Sequence, residues 1–288
     1  MPASETTFLS HRPRLFGLAY RMLGSRSDAE DVLQDAWLRW RTADEAGLMD
    51  PEAWLVTVVT RLSIDRLRAA KREREAYQGP WLPEPLVAEA EAPERAVELA
   101  GDVSQAFLLV LERLAPEERA AFLLREVFDA DYREVAQMLG RSEAACRQLL
   151  HRARERVRAE RPRFQVNPEA QRRLLERFMA ALQADSREEM LAVLAPEAAF
   201  TADGGGKVPA ALRVLHGAGR IAHLFSSLNQ RFSGRFSYRE ALINGEPGVL
   251  RFLDGRLDST LGFVTDGERI LDIYIVRNPD KLQHITVA

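Results

Sequence analysis

Two short helices joined by a glycine are predicted between Asp131 and Arg158, and the second helix is basic on one side. Apolar residues recur on one face of the first helix, and Gly140 then provides a turn. Ser142 is a favourable N-cap for the second helix. The apolar positions of that helix predict its buried side: Ala145, Leu149, Leu150, Ala153 and Val157. This order of elements is typical of a helix-turn-helix.

The opposite face of the second helix carries side chains that suit a DNA major groove. Arginine can read guanine through two hydrogen bonds, and glutamine can read adenine similarly. Later arginines suit phosphates, which position a protein without reading sequence. The pattern predicts DNA binding by Arg141, Arg147, Gln148, His151, Arg152 and Arg154. The alternative is an ordinary helical pair with a solvated, arginine-rich face.

Charge is unevenly distributed along the 288 residues, whose formal net charge is −3. Residues 141–163 hold eight arginines against three acids, whereas 84–102 hold six acids against one arginine. The average therefore conceals a basic segment and an acidic connector. The length allows two or three domains with a sizeable core.

The single cysteine, Cys146, excludes an internal disulfide and a metal site built from several cysteines. Its position beside the apolar stripe indicates a small buried residue, and neither a metal nor a cofactor is expected. The N-terminus lacks a basic-then-apolar signal, and no apolar run is long enough to span a bilayer. We expect a cytoplasmic protein without a membrane partner.

Residues 8–71 have a helical pattern throughout. One amphipathic helix ends at Gly24, and Ser27 is expected to cap the next. That second helix leaves an acidic edge facing solvent, formed by Glu30, Asp31 and Asp35. Pro51 suits the first turn of a third, long helix.

The third helix begins with an aromatic residue and ends in a basic tail. Residues 61–75 contain six basic residues against three acids. Aromatic side chains stack on unpaired bases and arginines follow the backbone beside them, so the helix suits a strand-separating surface. The predicted DNA-binding residues are Arg61, Arg66, Arg68 and Lys71. Trp54 matches the buried stripe of this helix and is interpreted as a core residue.

Three elements together closely resemble an RNA polymerase sigma factor: AEDVLQDAWLRW, PEAWLVTVVTRLSIDRLRAAKR and the helix-turn-helix. The matching form is the extracytoplasmic-function class, which has only the second and fourth sigma domains, and the resemblance covers roughly residues 8–163. It implies that core RNA polymerase and promoter DNA are partners, with the acidic edge docking on the polymerase clamp. The helix from Pro51 would recognise and melt the downstream promoter element. The upstream element would be read by Arg147, Gln148, His151 and Arg152.

One departure from that family concerns Thr60-Arg61, which stands where many relatives have Arg-Asn. No promoter bases are therefore assigned to the first domain. The predicted organisation is a region 2 domain at 1–75, a linker at 76–104 and a region 4 domain at 105–163.

The linker is rich in proline and acids, which predicts an extended, mobile tether. Trp81 and Leu82, within WLPEPL, contradict that expectation because they are costly to leave in water. We interpret WLPEPL as a docking segment; the alternative is a loosely exposed linker.

A different kind of domain is predicted at 167–288. Asn167-Pro168 starts a helix, Ser186 with Glu189 forms a capping box, and a strand follows at 198–202. Another helix is expected near residues 217–228. Three turn dipeptides, at 244, 254 and 266, then indicate an antiparallel meander of about four strands. The predicted fold class is therefore two all-α domains followed by an α+β domain.

The order of elements in this last domain resembles the SnoaL-like cone, which is shared with ketosteroid isomerases and polyketide cyclases. Three signatures resemble the sigma factor subgroup that carries this domain: WLPEPL, DGGGKV at 203–208 and NPDKL at 278–282. We expect these signatures to make regulatory contacts with the sigma core or the linker, so that no separate anti-sigma factor is required. The residues concerned are Trp81, Leu82, Pro83, Asp203, Gly204, Gly205, Gly206, Lys207, Asn278, Pro279, Asp280 and Lys281.

The alternative function is a cyclase-like or isomerase-like enzyme fused to a DNA-binding half. A pocket could be lined by Asp203, His216, His223 and Tyr238, and the related isomerases use an aspartate base. Fold alone does not imply function, and DGGGK lacks the spacing of a nucleotide-binding loop. Ordinary surface histidines are the preferred interpretation, so no catalytic residue is assigned.

Overall fold

The computed structural model describes residues 3–43, 48–88, 104–160 and 166–286. Contacts divide these residues into two compact units. The helical unit comprises residues 3–76 and 107–160, and the C-terminal unit comprises residues 77–88, 104–106 and 166–286. The fold class is the predicted one, with all-α domains followed by an α+β domain.

The helical unit begins with α1 (Ala3–Leu23), α2 (Arg26–Trp40) and α3 (Pro51–Glu75). Asp50 caps α3 by accepting a hydrogen bond from the Ala53 N–H at 2.9 Å, and Pro51 occupies the first turn as predicted. The expectation that Ser27 caps α2 is wrong. Ser25 directly precedes the helix, and its hydroxyl accepts from the Asp28 N–H at 3.2 Å.

The helix-turn-helix prediction is confirmed. The unit continues with most of α4 (Gln105–Glu112), α5 (Pro116–Glu126), α6 (Tyr132–Leu139) and α7 (Glu143–Glu160). Gly140 ends α6 in the left-handed region, with φ of +63°, where a side chain would be strained. Ser142 then caps α7 by accepting from the Ala145 N–H at 3.2 Å. The buried side of α7 consists of Cys146, Leu150, Ala153 and Val157.

The C-terminal unit packs helices against one face of a curled sheet. These helices are α8 (Pro168–Gln183), α9 (Arg187–Val193) and α10 (Ala218–Arg231). Phe178 lies at the centre of the core and makes edge-on contacts with Phe225 and Phe263, at 5.6 and 5.1 Å between ring centroids. Such aromatic pairs add to the stabilisation from buried apolar area.

The predicted meander is confirmed as four antiparallel strands, β4 (Phe236–Ile243), β5 (Glu246–Leu253), β6 (Arg256–Thr265) and β7 (Ile270–Val276). Both residues of the Asn244-Gly245 turn have positive φ, +53° and +79°, as a tight hairpin requires. Earlier in the chain lie β2 (Leu194–Asp203), which pairs parallel with β7, and β3 (Leu215–His216). A short helix, α11 (Pro279–Leu282), follows β7.

Linker residues add a strand to this sheet. β1 (Val87–Ala88) pairs antiparallel with β4, which gives the order β1-β4-β5-β6-β7-β2-β3. The expected mobile tether is therefore wrong for residues 77–88, which pack in the C-terminal unit because their apolar side chains and backbone groups find partners there. The acidic remainder of the predicted linker, 89–103, lies outside the described residues.

Among the described residues, no helix combines the length and apolar character needed to cross a membrane. The same residues contain no group of three or more His, Cys, Asp or Glu side chains arranged to hold a metal ion.

Candidate functional site

The outward face of α7 presents the residues predicted to read DNA. Arg147, Gln148 and His151 are all exposed and lie within the first three turns of the helix. The Arg147 guanidinium pairs with Glu143 at 2.7 Å and lies 5.0 Å from the centroid of the Tyr132 ring. These contacts fix its direction while leaving it accessible.

Other arginines of the helix-turn-helix bind carboxylates of α5. Glu118, whose side chain is 5% exposed, accepts from Arg152 Nε at 2.8 Å and also pairs with Arg156. Glu117 accepts from Arg141 at 2.9 Å. Arg154 pairs with Glu126 at 2.6 Å. The predicted DNA-binding set thus includes arginines that also have structural partners.

The basic residues of α3 are likewise mostly engaged within the helical unit. Arg61 donates to the backbone carbonyls of Met138 and Gln137, at 2.9 and 3.2 Å. Arg66 binds Asp28 through two nitrogens, and this hydrogen bond raises the pKa of the guanidinium. Arg68 pairs with Glu117 at 2.8 Å, whereas Lys71 is exposed.

The acidic edge of α2 borders an apolar cavity of about 360 Å³ between α1 and α2. Asp31 and Asp35 are exposed, and Glu30 pairs with Arg12 at 2.5 Å. Phe8, Leu9 and Trp37 line the cavity beside Glu30 and Asp31. An acidic rim around an apolar surface is an arrangement suited to a protein partner.

In the C-terminal unit, Asp203 is completely buried and organises the three signatures. Its carboxylate accepts four hydrogen bonds: from the Tyr77 hydroxyl at 2.5 Å, the Gly205 N–H at 3.0 Å, the Leu82 N–H at 2.9 Å and Lys281 Nζ at 2.8 Å. Burial and the bond to Asp203 raise the pKa of Tyr77, so its hydroxyl stays a donor. Tyr77, Leu82, Asp203, Asn278 and Lys281 form what we call the Asp203 cluster.

Lys281 is buried and pairs inward with Asp203. Asn278 caps α11, and this short helix directs Lys281 towards Asp203. The ammonium also donates to the Leu82 carbonyl at 2.5 Å and lies 4.1 Å from the centroid of the Trp81 ring. Asp280 does face solvent, where it pairs with Lys207. A buried charge requires such partners, and here hydrogen bonds and a cation–π contact supply them.

The DGGGK segment is closely packed against its neighbours. Gly205 has φ of +60°, and a Cβ added there would collide with the Asn278 side chain. The Asn278 amide in turn donates to the Tyr77 hydroxyl at 2.9 Å. The glycines therefore allow the linker, the loop and α11 to approach one another.

Three contacts beyond the predicted set extend the linker attachment. His284 contacts the Pro85 carbonyl at 3.0 Å and the Glu84 carboxylate at 2.9 Å. Asn244 exchanges hydrogen bonds with the Leu86 backbone, at 2.9 and 2.8 Å. The sequence identifies Asn244 only as a turn residue, not as a partner of the linker. The residues around His284 likewise do not indicate that it contacts Glu84 and Pro85.

The four residues considered for a catalytic pocket lie apart. Asp203 is enclosed by the linker, and Tyr238 pairs across the sheet with Arg251. His216 lies near Asp272, whose pKa is raised by burial. His223 lies in a separate shallow cavity with Arg187 and Arg220. The structure therefore does not assemble a candidate acid–base site from them.

Comparisons with known proteins agree with this architecture. The sigma-70 region 2 family model matches residues 7–73, and the sigma-70 region 4 model matches residues 104–157. The ECF RNA polymerase sigma factor SigJ of Mycobacterium tuberculosis is 40% identical over 98% of this chain and 93% of its own. A probable ECF sigma factor of that species, SigI, is 31% identical over 95% of this chain and 92% of its own.

The solved structure of Mycobacterium tuberculosis SigJ has a TM-score of 0.79 to this chain, with 36% sequence identity. The match covers 96% of this chain and 98% of that one, including the C-terminal domain.

The two sigma-70 regions and the similarity over almost the whole chain define a sigma factor, a subunit that directs core RNA polymerase to promoters. More narrowly, the chain belongs to the extracytoplasmic-function family of RNA polymerase sigma factors.

Proposed function

We propose that the C-terminal domain regulates this sigma factor in cis by binding linker residues 77–88. The observation that carries the proposal is the buried Asp203 carboxylate, which accepts hydrogen bonds from both Tyr77 and Leu82 of the linker. A linker fixed in a folded domain limits the positions available to the segments it joins. Releasing the linker would allow those segments more positions. The C-terminal domain therefore acts as a regulator by holding or releasing the linker.

In this proposal the C-terminal domain is not an enzyme. A general base must be able to reach the proton it removes. Asp203 is fully buried and already accepts four hydrogen bonds from protein groups, so a substrate cannot approach it. The in-cis contact also supplies a restraint of the kind that a separate anti-sigma factor would otherwise provide, and we propose that none is required.

The remaining site assignments form part of the same proposal. Arg147, Gln148 and His151 of α7 read the upstream promoter element, since they are exposed and adjacent. The basic tail of α3 contacts the downstream element. The acidic edge of α2 binds the polymerase clamp.

Run-off transcription with purified core RNA polymerase tests the regulatory role. We expect a chain that stops after Arg277 to transcribe more than the full chain, because it lacks Asn278 and Lys281 of the Asp203 cluster. A chain that stops after Val166 should transcribe less, because its linker has no docking surface at all, whereas the chain that stops after Arg277 keeps the pairing of β1 with β4. Circular dichroism checks that each chain is folded. Equal transcription by all three chains would contradict regulation by this domain.

The clamp assignment has its own test. Asp31→Lys with Asp35→Lys should abolish co-purification with core polymerase while leaving the fold intact, because both side chains are exposed. The matched control is Glu188→Lys with Glu189→Lys, which reverses two exposed acids of α9. Retained binding by the Asp31/Asp35 variant would show the assignment to be wrong.

A further inference from the structure

A cleft of about 920 Å³ lies within the helical unit, between the basic tail of α3 and the helices α4, α5 and α7. Its volume falls in the range of small-molecule binding sites. Seven cationic side chains and four carboxylates line it, an excess of three positive charges. The cleft is therefore both the right size and the right sign for a small polyanion.

Much of this excess arises because two arginines share each of three carboxylates, and five of these six arginines line the cleft. Glu112 pairs with Arg74 and, at 2.8 Å, with Arg119. Glu117 pairs with Arg68 at 2.8 Å and with Arg141 at 2.9 Å. Glu118 pairs with Arg152 and Arg156 in the same way. We call Glu112, Glu117 and Glu118 the shared carboxylates; they neutralise half of the guanidinium charge around them.

The electrostatics of Arg74 reflect this incomplete neutralisation. Its pKa is lowered, first by burial and also by the neighbouring Arg119, although Glu112 opposes both effects. Arg119 is almost completely buried and donates to the Met22 carbonyl at 2.6 Å as well as to Glu112. The buried guanidinium of Arg119 and the partly buried one of Arg74 thus repel each other across one carboxylate, and an added anion would relieve the repulsion.

Lys71 supplies a further positive charge that is not neutralised. It is exposed, lines the cleft and makes no ion pair with any residue that the structure describes. Apolar side chains, among them Leu67, Leu114 and Leu149, complete the wall. The lining thus combines cations with a surface on which a flat ring could pack.

We propose that this cleft binds an oligophosphate, either free or carried by a nucleotide. Guanidinium groups bind phosphate oxygens through charge-assisted hydrogen bonds, and a short chain of phosphates, which carries several negative charges at neutral pH, complements the excess positive charge of the lining. Such a ligand would bridge α3 and α7 by contacting Lys71 and Arg68 on one side and Arg152 and Arg156 on the other. Because Arg68, Lys71 and Arg152 belong to the predicted DNA-binding set, the oligophosphate and promoter DNA would compete.

The distribution of lysines allows a test with an internal control. The sequence contains three lysines, Lys71, Lys207 and Lys281. Lysine acetylation of the full chain, followed by mass spectrometry, would be measured with and without sodium tripolyphosphate at constant ionic strength. We expect tripolyphosphate to slow labelling of Lys71 several-fold and to leave labelling of Lys207 unchanged. An equal effect on both lysines, or none on Lys71, would overturn the proposal.

Calorimetric titration of tripolyphosphate into variants provides the second measurement. Lys71→Ala should weaken binding several-fold, whereas Lys207→Ala should not. Glu117→Gln should strengthen binding, because it removes a negative charge from the lining. Parallel titrations with GTP distinguish the two sources: equal affinity indicates recognition of the phosphate chain alone, and higher affinity for GTP indicates that the base also contacts the apolar wall. If only duplex promoter DNA protected Lys71, the cleft would not be an oligophosphate site.

Discussion

The Asp203 cluster and the shared carboxylates both join charged groups across distant parts of the chain, but their charge balance differs. In the Asp203 cluster one carboxylate faces one ammonium, and both are buried. Around the shared carboxylates, three acids face six arginines, and several of those arginines are half exposed. Complete pairing suits an internal attachment, whereas a positive excess suits a surface that binds phosphates.

The buried triad of Arg251, Asp258 and Arg277 shows that excess charge alone does not make a binding surface. Arg251 contacts the Asp258 carboxylate at 2.6 Å and Arg277 contacts it at 2.7 Å. Burial alone would raise the pKa of Asp258, but the two arginines lower it. Arg251 also lies 4.9 Å from the centroid of the Phe236 ring. The shared carboxylates differ because an open cleft adjoins them.

The largest effect is expected when one partner of the Asp203 cluster is removed. Lys281→Met leaves Asp203 buried without a cation and should destabilise the protein by about 3–5 kcal/mol. Lys207→Met is the matched control, since its pair with Asp280 is exposed and should contribute less than about 1 kcal/mol. Denaturant unfolding of the full chain measures both. Similar losses from the two variants would contradict the burial of Lys281.

A smaller difference is expected between two neighbouring shared carboxylates. Glu118→Gln should cost about 1.5–3 kcal/mol of unfolding free energy, because the side chain is 5% exposed and binds two arginines. Glu117 is 25% exposed, so Glu117→Gln should cost under about 1 kcal/mol. Thermal unfolding compares the two. A larger loss for Glu117→Gln would reverse their assigned roles.

Arginines of α7 that bind no buried carboxylate should affect DNA recognition instead of stability. Arg147→Ala should cost about 1–3 kcal/mol of discrimination between matched and scrambled upstream elements. Arg158→Ala should weaken holoenzyme binding to both sequences alike and reduce the salt dependence by about one charge. Binding would be measured with holoenzyme over a series of salt concentrations. Identical patterns for the two variants would show that the reading face is misassigned.

The last prediction concerns Glu246, an acid in the C-terminal unit whose pKa is shifted by burial alone. Burial raises the pKa of Glu246 to about 7. Below the unfolded pKa of about 4.3 the group is neutral in both states, and stability is lost as the pH rises through 7. The stability of Glu246→Gln relative to the natural chain should therefore rise by about 1 kcal/mol between pH 5 and pH 6, and the gain should level off above pH 7. Glu268→Gln, at an exposed position, is the control and should show no pH-dependent gain.

Local signals in the sequence predicted most of the helices and hairpins. Pro51, Gly140, Ser142 and Asn167 all take the helix-start, turn or capping roles expected from residue type and position. The Asn244-Gly245 dipeptide likewise predicted a tight turn, and both residues have positive φ in the structure. These features depend on neighbours within a few positions, which is why a single sequence contains them.

Contacts across long separations could not be predicted in this way. β1 pairs Val87 with Ile243, and Lys281 binds the Leu82 carbonyl. Neither segment has a periodicity that identifies its partner, and WLPEPL indicated docking only through its apolar composition. The sequence also does not predict that Arg68 and Arg141 both pair with Glu117, because all three residues resemble ordinary solvent-exposed charges.

Amide hydrogen exchange of the full chain tests most directly whether the linker is folded into the C-terminal domain. The Leu82 N–H donates to Asp203 and the Leu86 N–H donates to Asn244, so both should exchange slowly, at rates comparable with β4. Asp203→Asn should accelerate exchange at Leu82 more than at Leu86. If residues 77–88 of the natural chain instead exchanged as fast as a solvated peptide, the linker would not be bound by the C-terminal domain, and regulation through the Asp203 cluster would be excluded.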